Sequence, residues 1–199
     1  MQKRTCEEYA LFKLNYKMFT EKEMRDLLHK EEYDPEEIDK TLESLIRLEY
    51  IDDEKYIEEY FKSGRKKSWA NYKIEYELEK KGIDSEKTRQ VIENYKSSDE
   101  FEGPYDDKIV ALKLGISMAK DQINEGKSLD DKFFGRLGRR LLSLGHTKRT
   151  VYYVVDKLKS KGGIAAAIEE DKEELERIKK ERERGLYQYL VKQKEIESI

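Results

Sequence analysis

Apolar residues recur along this chain at helical intervals, and one pattern comes round three times. Near the end, Leu137 and Leu141, then Val151, Val154, Val155 and Leu158, keep the i, i+3, i+4, i+7 spacing of a helix with one buried face. Ile109, Leu112, Ile116, Ala119 and Ile123 mark a longer helix ahead of them, with a stripe of the same kind. The corresponding first helices of two earlier copies carry Ala10, Leu11 and Leu14, and then Ile57, Tyr60 and Phe61.

Sliding Glu23–Leu45 forward by 50 positions lays Met24 on Ile74, Leu28 on Leu78, Tyr33 on Ile83, Asp34 on Asp84 and Leu42 on Ile92. A further slide of 63 lays Ile74 on Leu137, Leu78 on Leu141, Gly82 on Gly145 and Ile92 on Val155. Helix boundaries follow the same repeat. "TEKE" (Thr20 to Glu23) reads as a capping box, and "DPEE" (Asp34 to Glu37) as an N-cap followed by proline at the first helical position. "KKGID" (Lys80 to Asp84) ends a helix at Gly82 and offers Asp84 as the next cap; "LGHT" does the same with Thr147.

The expected fold is therefore all-α, an elongated curved array of three tandem three-helix repeats with an additional C-terminal helix. The repeats are placed at 5–50, 52–98 and 106–160, with an acidic Gly-Pro linker at 99–105 and a charged helical extension at 163–199. The competing organisation is two unrelated helical bundles. In the extension, Ile164, Ile168, Leu175 and Ile178 form a stripe too thin for a sustained heptad. It reads as a solvated or docked helix, with dimerisation as the alternative.

Composition sharpens this picture. Charged residues are 43% of the 199, against about 25% in an average domain, and the apolar share of 37% suits thin helical layers better than one deep core. A single cysteine, Cys6, can form no internal disulfide, and no apolar run approaches a membrane span. We expect a cytoplasmic monomer. His29 and His146 lack metal-ligand spacing, "KGGI" (Lys161 to Ile164) is not a phosphate loop, and no catalytic constellation stands out, so neither a cofactor nor an enzymatic activity is expected.

Net charge is −3, yet residues 106–162 hold 13 Lys and Arg against 7 Asp and Glu. Such asymmetry speaks of partners rather than fold. Arg136, Arg139 and Arg140 fall on one helix face, and Lys148 and Arg149 open the next helix, where cations oppose the helix dipole. A second basic group surrounds "GRKKSWAN": Arg65, Lys66 and Lys67, flanked by Lys62 and Lys73. There the dipole at a helix end is a sufficient structural reason for the cations, with phosphate or acidic-protein binding as the alternative. Trp69 aligns with Phe19 and Lys132, which favours an inter-helix wedge over a base-stacking platform. Asp52, Asp53 and Glu54 read as helix caps, and Ile74, Leu78 and Gly82 as structural positions.

Leu48 to Asp84 ("LEYIDDEKYIEEYFKSGRKKSWANYKIEYELEKKGID") and Gly135 to Leu158 ("GRLGRRLLSLGHTKRTVYYVVDKL") resemble the most recognisable motifs of the RecX family of bacterial recombination regulators. The resemblance spans roughly residues 5–160. It implies a non-enzymatic protein that binds the RecA recombinase filament on single-stranded DNA and restrains it, with direct DNA contact as a further expectation. The residues themselves leave two other readings open: a helix-turn-helix-like DNA-binding module, or a helical adaptor for another protein.

Overall fold

The computed structural model describes residues 4–98 and 106–160, together with positions 163, 176 and 180. These residues form nine α-helices and no strand. The first trio is α1 (Cys6–Leu14), α2 (Glu21–Lys30) and α3 (Pro35–Arg47). The second is α4 (Asp53–Lys66), α5 (Asn71–Lys80) and α6 (Ser85–Ser97), and the third is α7 (Asp107–Asn124), α8 (Asp131–Ser143) and α9 (Lys148–Lys159). Within each trio all three helices pack on one another. Two compact units result, Met1–Glu102 with the first two trios and Gly103–Ile199 with the third. The linker expected at 99–105 lies outside the described residues, as does all but three positions of the extension expected at 163–199.

Local chemistry accounts for the helix ends. Thr5 and Thr20 close capping boxes with Glu8 and Glu23, while Asp34, Asp52, Asp84, Asp106, Asp130 and Thr147 each accept a first-turn amide. After the second helix of every trio the chain passes through a left-handed residue at equivalent positions: Glu32 (φ 59°), Gly82 (φ 83°) and Gly145 (φ 89°). The next amide then bonds back to the helix: Tyr33 to the Leu28 carbonyl, Ile83 to Leu78 and His146 to Leu141. This Schellman-type stop explains why glycine recurs there, and why Glu32 is the strained member of the three.

The apolar stripes are buried, and in the first and third trios they close into small cores. In the first trio Met24, Leu28, Ile38, Leu42 and Leu45 close around Cys6 and Ala10. In the third, Leu112, Ile116, Ala119, Phe133, Leu137, Leu141, Val154 and Leu158 do the same. One expected member of the α7 stripe is not buried: Ile123 is 49% exposed. At 18 residues α7 is longer than its main partner, the 12-residue α9, and its final turn is left in solvent.

Within the first unit the two trios meet through helix ends. The Thr20 hydroxyl donates to the Lys81 carbonyl (2.8 Å), and the Lys81 ammonium donates to Glu23 (2.6 Å). Asp53, expected as a cap of its own helix, instead accepts from the Glu21 amide (3.0 Å), leaving Asp52 to cap α4 through the Glu54 and Lys55 amides.

Candidate functional site

In the first unit the basic stretch after α4 is largely engaged by its own surroundings. Gly64 is buried, and a Cβ there would lie 2.8 Å from the Ile74 side chain and 3.4 Å from the Trp69 ring, so glycine allows α4 and α5 to approach. Arg65 closes the turn by donating to the Trp69 carbonyl (3.2 Å) and covers Phe61 at 5.1 Å. Lys62 pairs with Glu59 (2.8 Å). Lys67 and Lys73 lie over the Trp69 ring at 5.2 and 4.8 Å, and Tyr60 meets that ring edge-on at 6.1 Å. Lys66 is exposed, with no ion-pair partner among the described residues. The Lys67–Trp69 pair has a counterpart in the first trio, where Lys17 covers Phe19 at 4.1 Å. Ile74 and Leu78 are fully buried beneath this turn.

Beyond Trp69 the aromatic contacts continue to Tyr60 and Tyr56, whose rings are nearly parallel at 6.0 Å, and end at Lys81. Burial works against the Lys81 ammonium, but hydrogen bonds to Glu23 and Tyr56 outweigh it, and its pKa ends above the ordinary lysine value. Burial pushes the Tyr56 and Tyr60 phenols up.

The second unit presents its cations differently. Arg136, Arg139 and Arg140 are exposed along α8, and Lys148 and Arg149 are exposed in the first turn of α9. Arg136 donates to Gln122 (2.7 Å), whereas none of the other four has an ion-pair partner among the described residues. Repeat equivalence makes the contrast plain. Positions 136, 139 and 140 correspond to Lys73, Tyr76 and Glu77 in the second trio, and to Glu23, Asp26 and Leu27 in the first. Arg149 corresponds to Glu86 and Glu36, which complement their helix dipoles. The α9 first turn has no acidic residue. One scaffold position is thus acidic in the first two copies and basic in the third.

Several exposed aromatics escaped the sequence reading. Tyr152, 73% exposed, follows Lys148 and Arg149 by one turn of α9, and Tyr72 and Tyr76 stand on the outer side of α5. The i, i+4 spacing of Tyr72 and Tyr76, opposite Ile74 and Leu78, is the signal that could have found the pair.

A recess of the first unit is lined by Glu21, Ile46, Glu49, Ile51, Asp52, Asp53, Glu54 and Lys87. Asp52 and Asp53 there hold backbone amides. Among the described residues no group of His, Cys, Asp and Glu is arranged to hold a metal ion, and no helix is long and apolar enough to cross a membrane.

Comparison with known proteins fits this geometry. Residues 6–45 match the family model for the first three-helix domain of RecX. The regulatory protein RecX of Clostridium beijerinckii is 31% identical over 154 residues, covering 77% of this chain and 68% of that protein. The chain belongs to the RecX family. RecX of Listeria welshimeri is 32% identical over 118 residues, 59% of this chain, which spans only 44% of that longer relative. The crystal structure of RecX from Lactobacillus salivarius superposes with a TM-score of 0.57 at 22% identity, over 77% of this chain and 94% of that one. The all-α, helical-repeat fold is that of RecX, and the relatives are named regulatory proteins.

Proposed function

We propose that this chain binds the RecA filament on single-stranded DNA and restrains its recombinase and ATPase activity, using the α8–α9 face as its main contact. The observation that carries the reading is the run of exposed cations Arg139, Arg140, Lys148 and Arg149, joined by Arg136, at positions where the other repeats are acidic or mixed. Cations without local counter-charges are suited to an acidic protein surface or to phosphate. Membership of RecX, with its regulatory name, points to the recombinase as the partner.

The physics of such regulation is differential affinity. A ligand shifts a filament between states only as far as it binds one state better than the other. A clamp that favours the state with slow ATP turnover, or that occupies the path of the incoming strand, inhibits without reacting chemically. No catalytic group is needed for it.

The test is co-sedimentation with RecA filaments, with and without nucleotide, alongside filament ATPase and strand exchange. Stoichiometric protein is expected to pellet with the filament and slow both reactions. Absence of either effect in excess protein defeats the reading. Direct phosphate contact by the same face gives RecA-independent DNA binding, its logarithm falling by about 0.7–0.9 per contact per log unit of salt.

A further inference from the structure

On α5, Tyr72 and Tyr76 stand one turn apart with near-parallel rings, 10° between planes and 6.3 Å between centroids. They are 69% and 47% exposed, on the side of the helix away from the buried Ile74 and Leu78, so core packing does not account for them. The Lys80 ammonium lies over the Tyr76 ring at 4.1 Å and closes the far end of the row. Its near end, at Tyr72, adjoins the turn that carries Lys66 and Lys67, with Lys73 next in sequence. Neither neighbouring copy has aromatics here: the equivalent positions are Lys22 and Asp26 in the first trio, Gly135 and Arg139 in the third. A single exposed tyrosine needs no explanation, but an ordered pair between cations does.

We infer that the Tyr72–Tyr76 row is a stacking site for unpaired nucleic-acid bases, with Lys66, Lys67 and Lys73 tracking the phosphates. Flat rings beside a cationic path are what sequence-tolerant single-strand binding requires, because every base offers a π-face. A protein-docking patch also draws on tyrosines, but its centre adds apolar side chains around them. The exposed aliphatics Ile46 and Leu48 of this unit lie at the end of α3, not on this row. Of the glutamates beside the row, Glu75 faces Arg89 at 4.0 Å and Glu77 is held by Lys80 at 3.5 Å. Glu79 stands in the last turn of α5, and the chain just before Tyr72 carries Lys66 and Lys67. Double-stranded DNA hides its base faces and is expected to bind less well. This site lies on the first unit and goes beyond the filament contact assigned to α8 and α9.

Fluorescence anisotropy with labelled oligothymidylate and no recombinase tests it on the full chain. Tyr72→Ala/Tyr76→Ala is expected to weaken binding by about tenfold or more, while Tyr72→Phe/Tyr76→Phe stays within about twofold, since stacking needs the ring and not the hydroxyl. Circular dichroism and thermal melting of both variants should match the parent, because the side chains are exposed. Four results would overturn the site: no oligonucleotide binding by the parent, equal affinity for duplex, unchanged binding by the alanine variant, or equal loss in the phenylalanine variant. Loss of filament co-sedimentation with oligonucleotide binding unchanged would make the row a protein contact and also defeat the inference. Because RecA is absent, failure of the filament reading leaves this experiment unaffected.

Discussion

The hydroxyl of Thr20 donates to the carbonyl of Lys81 at 2.8 Å while accepting the Glu23 amide at 3.0 Å. One buried side chain therefore serves two helix ends, the amide-rich start of α2 and the carbonyl-rich end of α5. The ends carry opposite partial charges, and the Glu23–Lys81 ion pair at 2.6 Å reinforces them with full charges of the favourable sign at each terminus. The first two trios are joined by the polar groups that isolated helices would leave to water.

Thr20→Val keeps the shape of the side chain and removes both bonds. It should lower stability by about 2–3 kcal/mol, combining a lost cap with a part-buried carbonyl left without its donor. Thr5→Ala removes a capping box exposed on α1 and should lower it by only about 1 kcal/mol. Urea denaturation of the two variants checks the difference.

Alkali should loosen the first unit. The folded-state pKa of Lys81 is raised, so its contribution is complete below the unfolded lysine value of about 10.4 and is lost as pH rises through the folded value. Tyr56 and Tyr60 act in the same direction, since burial raises their phenols and the contribution fades above the unfolded value of about 10. Denaturation midpoints should hold up to about pH 10 and fall above it, and Lys81→Met should flatten part of that slope. A flat profile in the parent would contradict the joint as described.

The left-handed turns give a paired test. Gly82→Ala meets both φ 83° and the Lys22 side chain, whose Cβ lies 2.7 Å from the new methyl position, and should cost about 1–2 kcal/mol. Glu32→Gly at φ 59° removes the same strain from the first copy and should be neutral or stabilising by up to about 1 kcal/mol. Thermal melting reads both.

Arg65 and the α8–α9 arginines should separate stability from filament binding. Arg65→Ala breaks the bond that closes the turn at Trp69 and should destabilise by about 1–2 kcal/mol. Reversing Arg139, Arg140 and Arg149 to glutamate should leave stability within about 0.5 kcal/mol and abolish co-sedimentation with RecA filaments.

Cys6 should resist thiol reagents in the folded protein. Its side chain is fully buried and burial raises its pKa, partly offset by a hydrogen bond with Thr41. Reaction with a disulfide reagent should be slow in buffer and complete in denaturant.

Sequence alone determined what depends on neighbours within about one helical turn. Caps at Thr20, Asp34, Asp84 and Thr147, stops at Gly82 and Gly145, and the buried stripe through Leu137, Leu141, Val154 and Leu158 are all periodic or adjacent features. Repetition made them legible three times over. Tertiary structure decided which groups meet across many residues. A hydrophobic period says which face is buried but not how far its partner extends, so Ile123 was expected inside and stands in water. A capping box predicts one acceptor for Thr20, but only packing brings Lys81 to its hydroxyl and the Glu21 amide to Asp53. The same packing engages Arg65 and Lys62 in their own unit while leaving Arg139, Arg140, Lys148 and Arg149 open. A cation's availability depends on every neighbour the fold supplies, and those neighbours are set by distance in space rather than along the chain.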